Sequence, residues 1–511
     1  MNLAKKLSET AAKHADKPAV IFEDHVYTFA DVDNEVRRYS AVMKRLGVRV
    51  GDRVALQLPK RPEFVFLELA VMSVGAVLLP LNVDYKPDEV AYFLTDSGSS
   101  LLCADGDRLK KARSVLGRLP GVRAAVIGQS DEKDLVGLSD ELETISTQDE
   151  RDYPAGGDDT AVICYTSGTT GRSKGAMLSH RNLVSNLTAL HELWQWSDHD
   201  VLLHVLPLFH VHGLFVALHG GLNAGATIIM HEKFDPRRVW RTVEAQQCTI
   251  LMGVPTMYQR LMNEWETMDK PPDLSSMRLF ISGSAPLLEN QFLRFTRHTG
   301  FPILERYGMT EAGMIASNPV DPAGRKATSV GFPLPGVELR VVDSGGLDVH
   351  PGEVGEILIR GDNVFSGYWV MPEKTRESFA DGWFRSGDLG YLDQDDGGRL
   401  YLVGRAKELI ITGGYNVYPK EIENVLEGHD GVREAAVVGM PDADFGERVV
   451  AVVALREPAS GATPETLIEY CRERLAGYKC PKEVLVTGSL PRNAMGKLQK
   501  NELKDLYGGR R

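Results

Sequence analysis

The period of apolar and polar positions changes along the chain, and each change marks an element. In "TFADVDNEVRRYSAVMKRLG", Val32, Val36, Tyr39, Met43 and Leu46 recur at helical spacing. Thr28 can cap the start of that helix and Gly47 can end it. "DRVALQL" then predicts a strand, and similar short apolar runs recur in "LLCAD", "AAVIG", "TAVICYT", "ATIIM", "CTILMG" and "RLFISGS", with helical patterns between several of them. Buried strands alternating with helices predict parallel sheets covered by helices. The most apolar stretch, "FVFLELAVMSVGAVLLPLNV", is broken by Glu68, Gly75 and Pro80, so it predicts helix, turn and strand in place of a membrane span.

After about Gly336 the texture shifts to "VELRVVD", "GEILIRG" and "GRLYLVG", short strands separated by Gly and Asp turns that predict a β-rich subdomain. Beyond Arg405, "KEIENVLEG", "VREAAVVGM", "RVVAVVAL", "TLIEYCRERL" and "EVLVTGSL" alternate as a small α+β domain would. The predicted fold is α/β: a large N-terminal domain of helix-covered sheets plus a β-rich subdomain, residues 1–404, and a small C-terminal α+β domain, residues 405–511.

Composition narrows the partners. A formal charge of −12 argues against nucleic acid, whose binding rests on Lys and Arg neutralising phosphates. The five cysteines are odd in number and lack metal-ligand spacing, which fits a reduced, cytoplasmic setting. The start carries no apolar signal core, and "YGGRR" carries no lipidation or peroxisomal signal.

The chemistry concentrates in polar, Gly-rich stretches set against apolar flanks. "YTSGTTGRSKG" directly follows a predicted buried strand, and its glycines, hydroxyls and two cations suit phosphate oxygens. The spacing of Gly168, Gly171 and Lys174 is not that of a Walker loop, and a solvated turn would share the composition. Four further segments have the same character: "SGSAPL" (282–287), "ERYGMTEAGM" (305–314), "WFRSGDLG" (383–390) with "GRAKELIITGGYNVYPKEIE" (404–423), and "PRNAMGKLQK" (491–500).

Together and in this order, these motifs resemble the acyl-adenylate-forming ligases, among them acyl-CoA synthetases, luciferases and peptide-synthetase adenylation domains, over essentially the whole chain. The resemblance implies an acid:CoA ligase using ATP, Mg2+ and coenzyme A. A carboxylate attacks the α-phosphorus of ATP, and a thiol then displaces AMP. It implies that Thr166, Ser167, Gly168, Thr169, Thr170, Gly171 and Lys174 hold the β- and γ-phosphates. Tyr307 would stack on adenine near Gly283 and Ser284, Thr310 would donate to the α-phosphate, and Glu311 would bind magnesium. Asp388 would accept from the ribose hydroxyls and Arg405 would contact ribose or phosphate. Lys497 would bridge the attacking carboxylate and the α-phosphate, with Lys500 and Lys504 ordinary neighbours. The small domain would be mobile, swinging at Lys407 to bring Gly413 and Gly414 against the pantetheine arm.

For the acid, the resemblance implies that His210, in "LPLFHVHGLF", lies at the pocket gate and counts with Lys497, Thr310 and Glu311 in the catalytic set, and that Ser282 lines the pocket. Arg260, on a helix predicted after Pro255, would pair with a second carboxylate of the substrate. The run from "HVHGLF" to "LERYGMTEAGMIASNP" resembles malonyl-CoA synthetases more than long-chain enzymes, which makes malonate or a methylmalonate-like dicarboxylate the expected acid. A medium- or long-chain fatty acid, a freestanding adenylation domain loading a carrier protein, a luciferase-like oxygenase and a non-enzymatic nucleotide sensor are the alternatives. The expected partners are small molecules, with no nucleic acid and no membrane span, in a monomer or homodimer.

Overall fold

The computed structural model describes residues 1–130, 135–145, 151–166, 173–442, 444–456, 461–492 and 498–508. The amphipathic segment forms the helix Phe29–Arg45. Thr28 Oγ1 accepts from Asp31 N, and the Asp31 carboxylate accepts from Thr28 N, which satisfies donors that a helix start leaves open. The interrupted apolar stretch becomes the helix Pro62–Ser73, a turn through Gly75 at φ 75°, and the strand Val77–Pro80. Among the described residues no helix is long and apolar enough to cross a membrane.

One sheet runs Gly367–Tyr368, Lys174–Ser179, Thr160–Thr166, Val77–Pro80, Arg53–Gln57, Leu101–Ala104, Arg123–Val126 and Val136–Gly137, parallel from Thr160–Thr166 onward. The other places Pro18–Phe22, Thr227–Met230, Val201–His204, Ile250–Gly253, Leu279–Ser282 and Leu304–Met309 side by side, all parallel. The "ATIIM", "CTILMG" and "RLFISGS" runs are interior strands of this sheet, which is why they are apolar on both faces.

The β-rich part is antiparallel, and it is joined to the second sheet edge to edge. Leu304–Met309 turns back into Gly313–Ser317, and the ladder continues through Ser329–Pro333, Arg399–Arg405, Trp383–Asp393, Gly355–Gly361 and Val337–Val342. That pairing runs through Arg405, opposite Asp388. The small domain has its own core of Ile410, Val417, Ile422, Leu426, Val437 and Val453, under the strands Val432–Asp442, Gly446–Leu455 and Glu483–Thr487. A short 3-10 turn, Ala406–Glu408, links the two bodies.

The small domain rests on the large one where Asn290 Nδ2 donates to the Glu427 carbonyl at 3.2 Å. Within it, Lys500 is not an ordinary surface lysine: its Nζ lies 2.8 Å from both Glu408 and Glu423, with most of its side chain covered. Its pKa is raised, because against burial the two carboxylates favour the charged form. Removing one partner of a buried ion pair costs about 3–5 kcal/mol, so Lys500→Met should lower the unfolding midpoint of the protein markedly. A melting curve unchanged from wild type would show that the triad contributes nothing net.

Candidate active site

The candidate residues gather at the carboxyl ends of the parallel strands, where open α/β sheets leave a crevice. On the first sheet, Thr160–Thr166 and Lys174–Ser179 form an antiparallel pair with Thr166 opposite Lys174. Ser167, Gly168, Thr169, Thr170 and Gly171 connect these strands and lie outside the described residues. Lys174 Nζ sits 5.0 Å from the ring centre of Tyr368. Burial lowers its pKa, Lys374 and Lys407 lower it further, and Glu311 opposes them. Three lysines therefore share one field with the carboxylates of Glu311 and Glu377.

Glu311 and Thr310 occupy the tight turn between Leu304–Met309 and Gly313–Ser317. Asn186 braces that turn, accepting from Met314 N at 3.0 Å and donating to Met314 O at 2.7 Å. Gly313, at φ 55°, lies so close that a Cβ would meet Asn186 Oδ1 at 2.9 Å. Asn363 Nδ2 donates to Ala312 O, Phe365 N donates to Glu311 O, and Tyr368 OH donates to Glu311 Oε1 at 3.0 Å. Glu311 is thus held while its other oxygen stays available for a hard cation. Among the described residues no group of three or more His, Cys, Asp or Glu is arranged to hold a metal. A single carboxylate is what Mg2+ needs when phosphates and water complete its shell.

On the same strand Tyr307, 7% exposed, donates to Asp388 Oδ2 at 2.6 Å. Arg405 Nε lies 3.2 Å from Asp388 Oδ1. Against burial, Asp388 and then Glu408 hold the Arg405 guanidinium above its ordinary pKa. The structure therefore brings together Tyr307, Asp388 and Arg405 from three segments of the chain. Lys407 is exposed in the linking turn. Gly413 and Gly414 are exposed at φ 56° and 82° between Ile410–Thr412 and Tyr415–Val417. Lys497 lies outside the described residues.

Around the ends of Leu279–Ser282 and Leu304–Met309 lie buried polar groups without partners. Ser282 Oγ, His210 Nε2, His212 Nε2, and Arg306 Nε and Nη2 are all enclosed and make no hydrogen bond. Ser284, in the left-handed region at φ 70°, brings its Oγ to 3.2 Å from His212 Nδ1. Gly283 is needed because the Arg306 guanidinium lies against it, 2.3 Å from where a Cβ would stand. Burial alone takes the His210 pKa down to about 4. Burial, and then Arg306, His204 and His210, hold His212 well below its usual value. Burial thus favours the neutral form of both imidazoles, and His212 lies in the field of the Arg306 cation.

Arg306 is 3% exposed, and burial lowers its pKa to about 9 in spite of Tyr258 and Glu305. A buried cation with two unpaired donors is costly unless an anion joins it. Arg260, expected to take such an anion, stands in a different setting. The helix Pro255–Trp265 buries Tyr258, Leu261, Met262 and Trp265, and Arg260 falls off that stripe and is exposed. Arg306 escaped sequence reasoning inside "LERYGM". The available signal was a charged residue in a strand too apolar in its surroundings to reach solvent.

Comparison with known proteins identifies the family. Residues 7–369 match the AMP-binding enzyme family and residues 421–497 match the AMP-binding enzyme C-terminal domain. The chain is 38% identical over 489 residues to a feruloyl-CoA synthase of Amycolatopsis sp, covering 94% of each chain. It is 36% identical over 541 residues to the mitochondrial malonate–CoA ligase of Mus musculus, covering 97% of this chain and 90% of that one. The crystal structure of ATP-bound MatB from Rhodopseudomonas palustris superposes with a TM-score of 0.91 at 41% identity, covering 100% of this chain and 99% of that one. The match thus runs along the whole length with the fold shared, and the chain belongs to the AMP-binding enzyme family as an AMP-forming acyl-CoA synthetase.

Proposed function

We propose that this synthetase activates malonate, or a methylmalonate-like short dicarboxylate, and that Arg306 receives the carboxylate that does not react. The observation that carries the reading is the buried guanidinium with Nε and Nη2 unpaired. A monocarboxylic fatty acid would leave that charge stranded, whereas a second carboxylate would meet it with two parallel charge-assisted bonds. His210, His212 and Ser282 supply further polar groups around the same space, and their neutral state avoids repelling the cation.

In the nucleotide part of this proposal, Lys174 and the Thr166–Gly171 loop take the β- and γ-phosphates, and Thr310 donates to the α-phosphate. Tyr307 and the Gly283–Ser284 edge flank adenine, while Asp388 and Arg405 take the ribose. Glu311 would hold Mg2+, which would supply neutralising charge to the phosphates. Lys497 bridges the two reacting anions. Lys407 serves as the pivot that later brings Gly413 and Gly414 to the pantetheine thiol.

Glu311→Gln should raise the magnesium concentration needed for half-maximal turnover and lower the maximal rate, since a charged oxygen ligand is lost. A magnesium titration superimposable on wild type would assign the metal to another residue.

The acid itself is tested by a panel of malonate, methylmalonate, acetate, butyrate, octanoate and ferulate, scored for AMP formation with and without coenzyme A. The dicarboxylates should lead, with AMP release dependent on coenzyme A. Because a feruloyl-CoA synthase is as similar as the malonate ligases, ferulate is the informative competitor. A lead for ferulate or octanoate would replace this reading with an aromatic or fatty acid.

A further inference from the structure

Two buried polar contacts outside the crevice join one N-terminal segment to both ends of the stretch that carries His210 and His212. Lys60, 7% exposed, stands just before the helix Pro62–Ser73 and donates from Nζ to His204 O at 3.2 Å and Leu206 O at 3.0 Å. Glu68, on that helix, has no exposed surface, and its Oε1 lies 2.7 Å from Nε2 of His219, which is equally enclosed. Between these anchors the chain rounds the turn at Pro207–His210 and enters the π-helical turn His212–Leu218, which continues as the helix His219–Ala224.

That π-helical turn needs something to hold it. An isolated π turn amounts to one residue inserted in an α-helix and is rarely stable by itself. Slipping back into α-register would rotate what precedes it by about 100° per residue. Such a rotation would carry His212 away from Ser284 Oγ and turn its free Nε2 out of the cluster. The backbone is already pressed close at this point: His204 Nε2 lies 2.8 Å from Gly213 O, and a Cβ on Gly213 would stand 2.0 Å from Pro207 O.

Neither contact is explained by stability. Glu68 Oε2 and His219 Nδ1 have no partner, so the dyad is only half satisfied in an apolar core beside Phe215. Burial raises the Glu68 pKa against the pull of His219, and lowers that of Lys60 to about 7. Buried polar pairs of this kind are commonly replaceable by apolar side chains without loss of stability, and fixing a register is their best-attested use.

We propose that Lys60 and Glu68 are positioning residues for the acid pocket, which together with His219 hold residues 204–219 in the register that presents His212, with His210 near it, to Arg306. The proposal rests on reading that cluster as the acid-binding pocket, though not on which acid enters it.

The test uses the full-length enzyme and whichever acid of the panel above wild type turns over best. An apolar replacement of the dyad, Glu68→Leu/His219→Leu, and separately Lys60→Met, should each raise the KM for that acid by roughly tenfold to a hundredfold while the KM for ATP stays within about twofold. Glu68→Gln, which can still accept from His219 Nε2, should restore the acid KM to near wild type. The melting midpoint reports folding for each variant. Acid and ATP KM rising together, or an acid KM unchanged in a folded double variant, would overturn the proposal. A wild-type preference for ferulate or octanoate would instead overturn the dicarboxylate reading and leave this test intact.

Discussion

Arg306→Met is expected to lower kcat/KM for malonate by a factor of roughly thirty to several thousand, the equivalent of about 2–5 kcal/mol for losing one partner of a desolvated charge pair. Butyrate turnover should hold or rise, because the variant no longer sets a bare cation opposite a methyl group. A second readout separates binding from folding. Arg306 is buried with Nε and Nη2 unpaired, so its replacement by an apolar chain of similar length should leave the melting midpoint unchanged or higher. Stabilisation of wild type by added malonate should disappear in the variant. If both acids weaken equally, Arg306 shapes the pocket without selecting the acid.

Lys497→Ala should nearly abolish formation of the acyl-adenylate while leaving thioester formation from supplied acyl-AMP largely intact. Bringing a carboxylate to a phosphate requires a positive charge between two anions, and deleting one such electrostatic contact typically costs about a hundredfold to a thousandfold in rate. In the second half-reaction AMP is already the leaving group and the nucleophile is a thiol, so the same charge has no comparable task. Pre-steady-state measurement of each half-reaction separates the two. Equal losses in both would assign Lys497 a structural role.

How much of this was legible in the sequence depended on whether the determining neighbours were local. The helix Phe29–Arg45 could be read with its cap because Thr28 and Asp31 are three residues apart. The parallel strands could be read because burial on both faces leaves continuous apolar runs. The exposure of Arg260 could be read from its own helix: Tyr258, Leu261, Met262 and Trp265 define the apolar stripe at helical spacing, and position 260 lies off it. Arg306 is different, since its surroundings come from Gly283, His212 and Tyr258, all distant in sequence. The same holds for Lys500, whose partners Glu408 and Glu423 lie at the far end of the small domain's sequence, and for the clasp of Glu68 on His219 across 151 residues. No local pattern announces the π-helical turn at His212–Leu218 either.

The central claim is that the Arg306 guanidinium receives the acid's second carboxylate. A crystal structure with a non-hydrolysable malonyl-adenylate analogue tests it most directly. The account predicts the free carboxylate on Arg306 Nε and Nη2 at about 2.7–2.9 Å, the usual range for such pairs. A carboxylate turned toward Arg260 or solvent, with the Arg306 donors still unpaired, would contradict it.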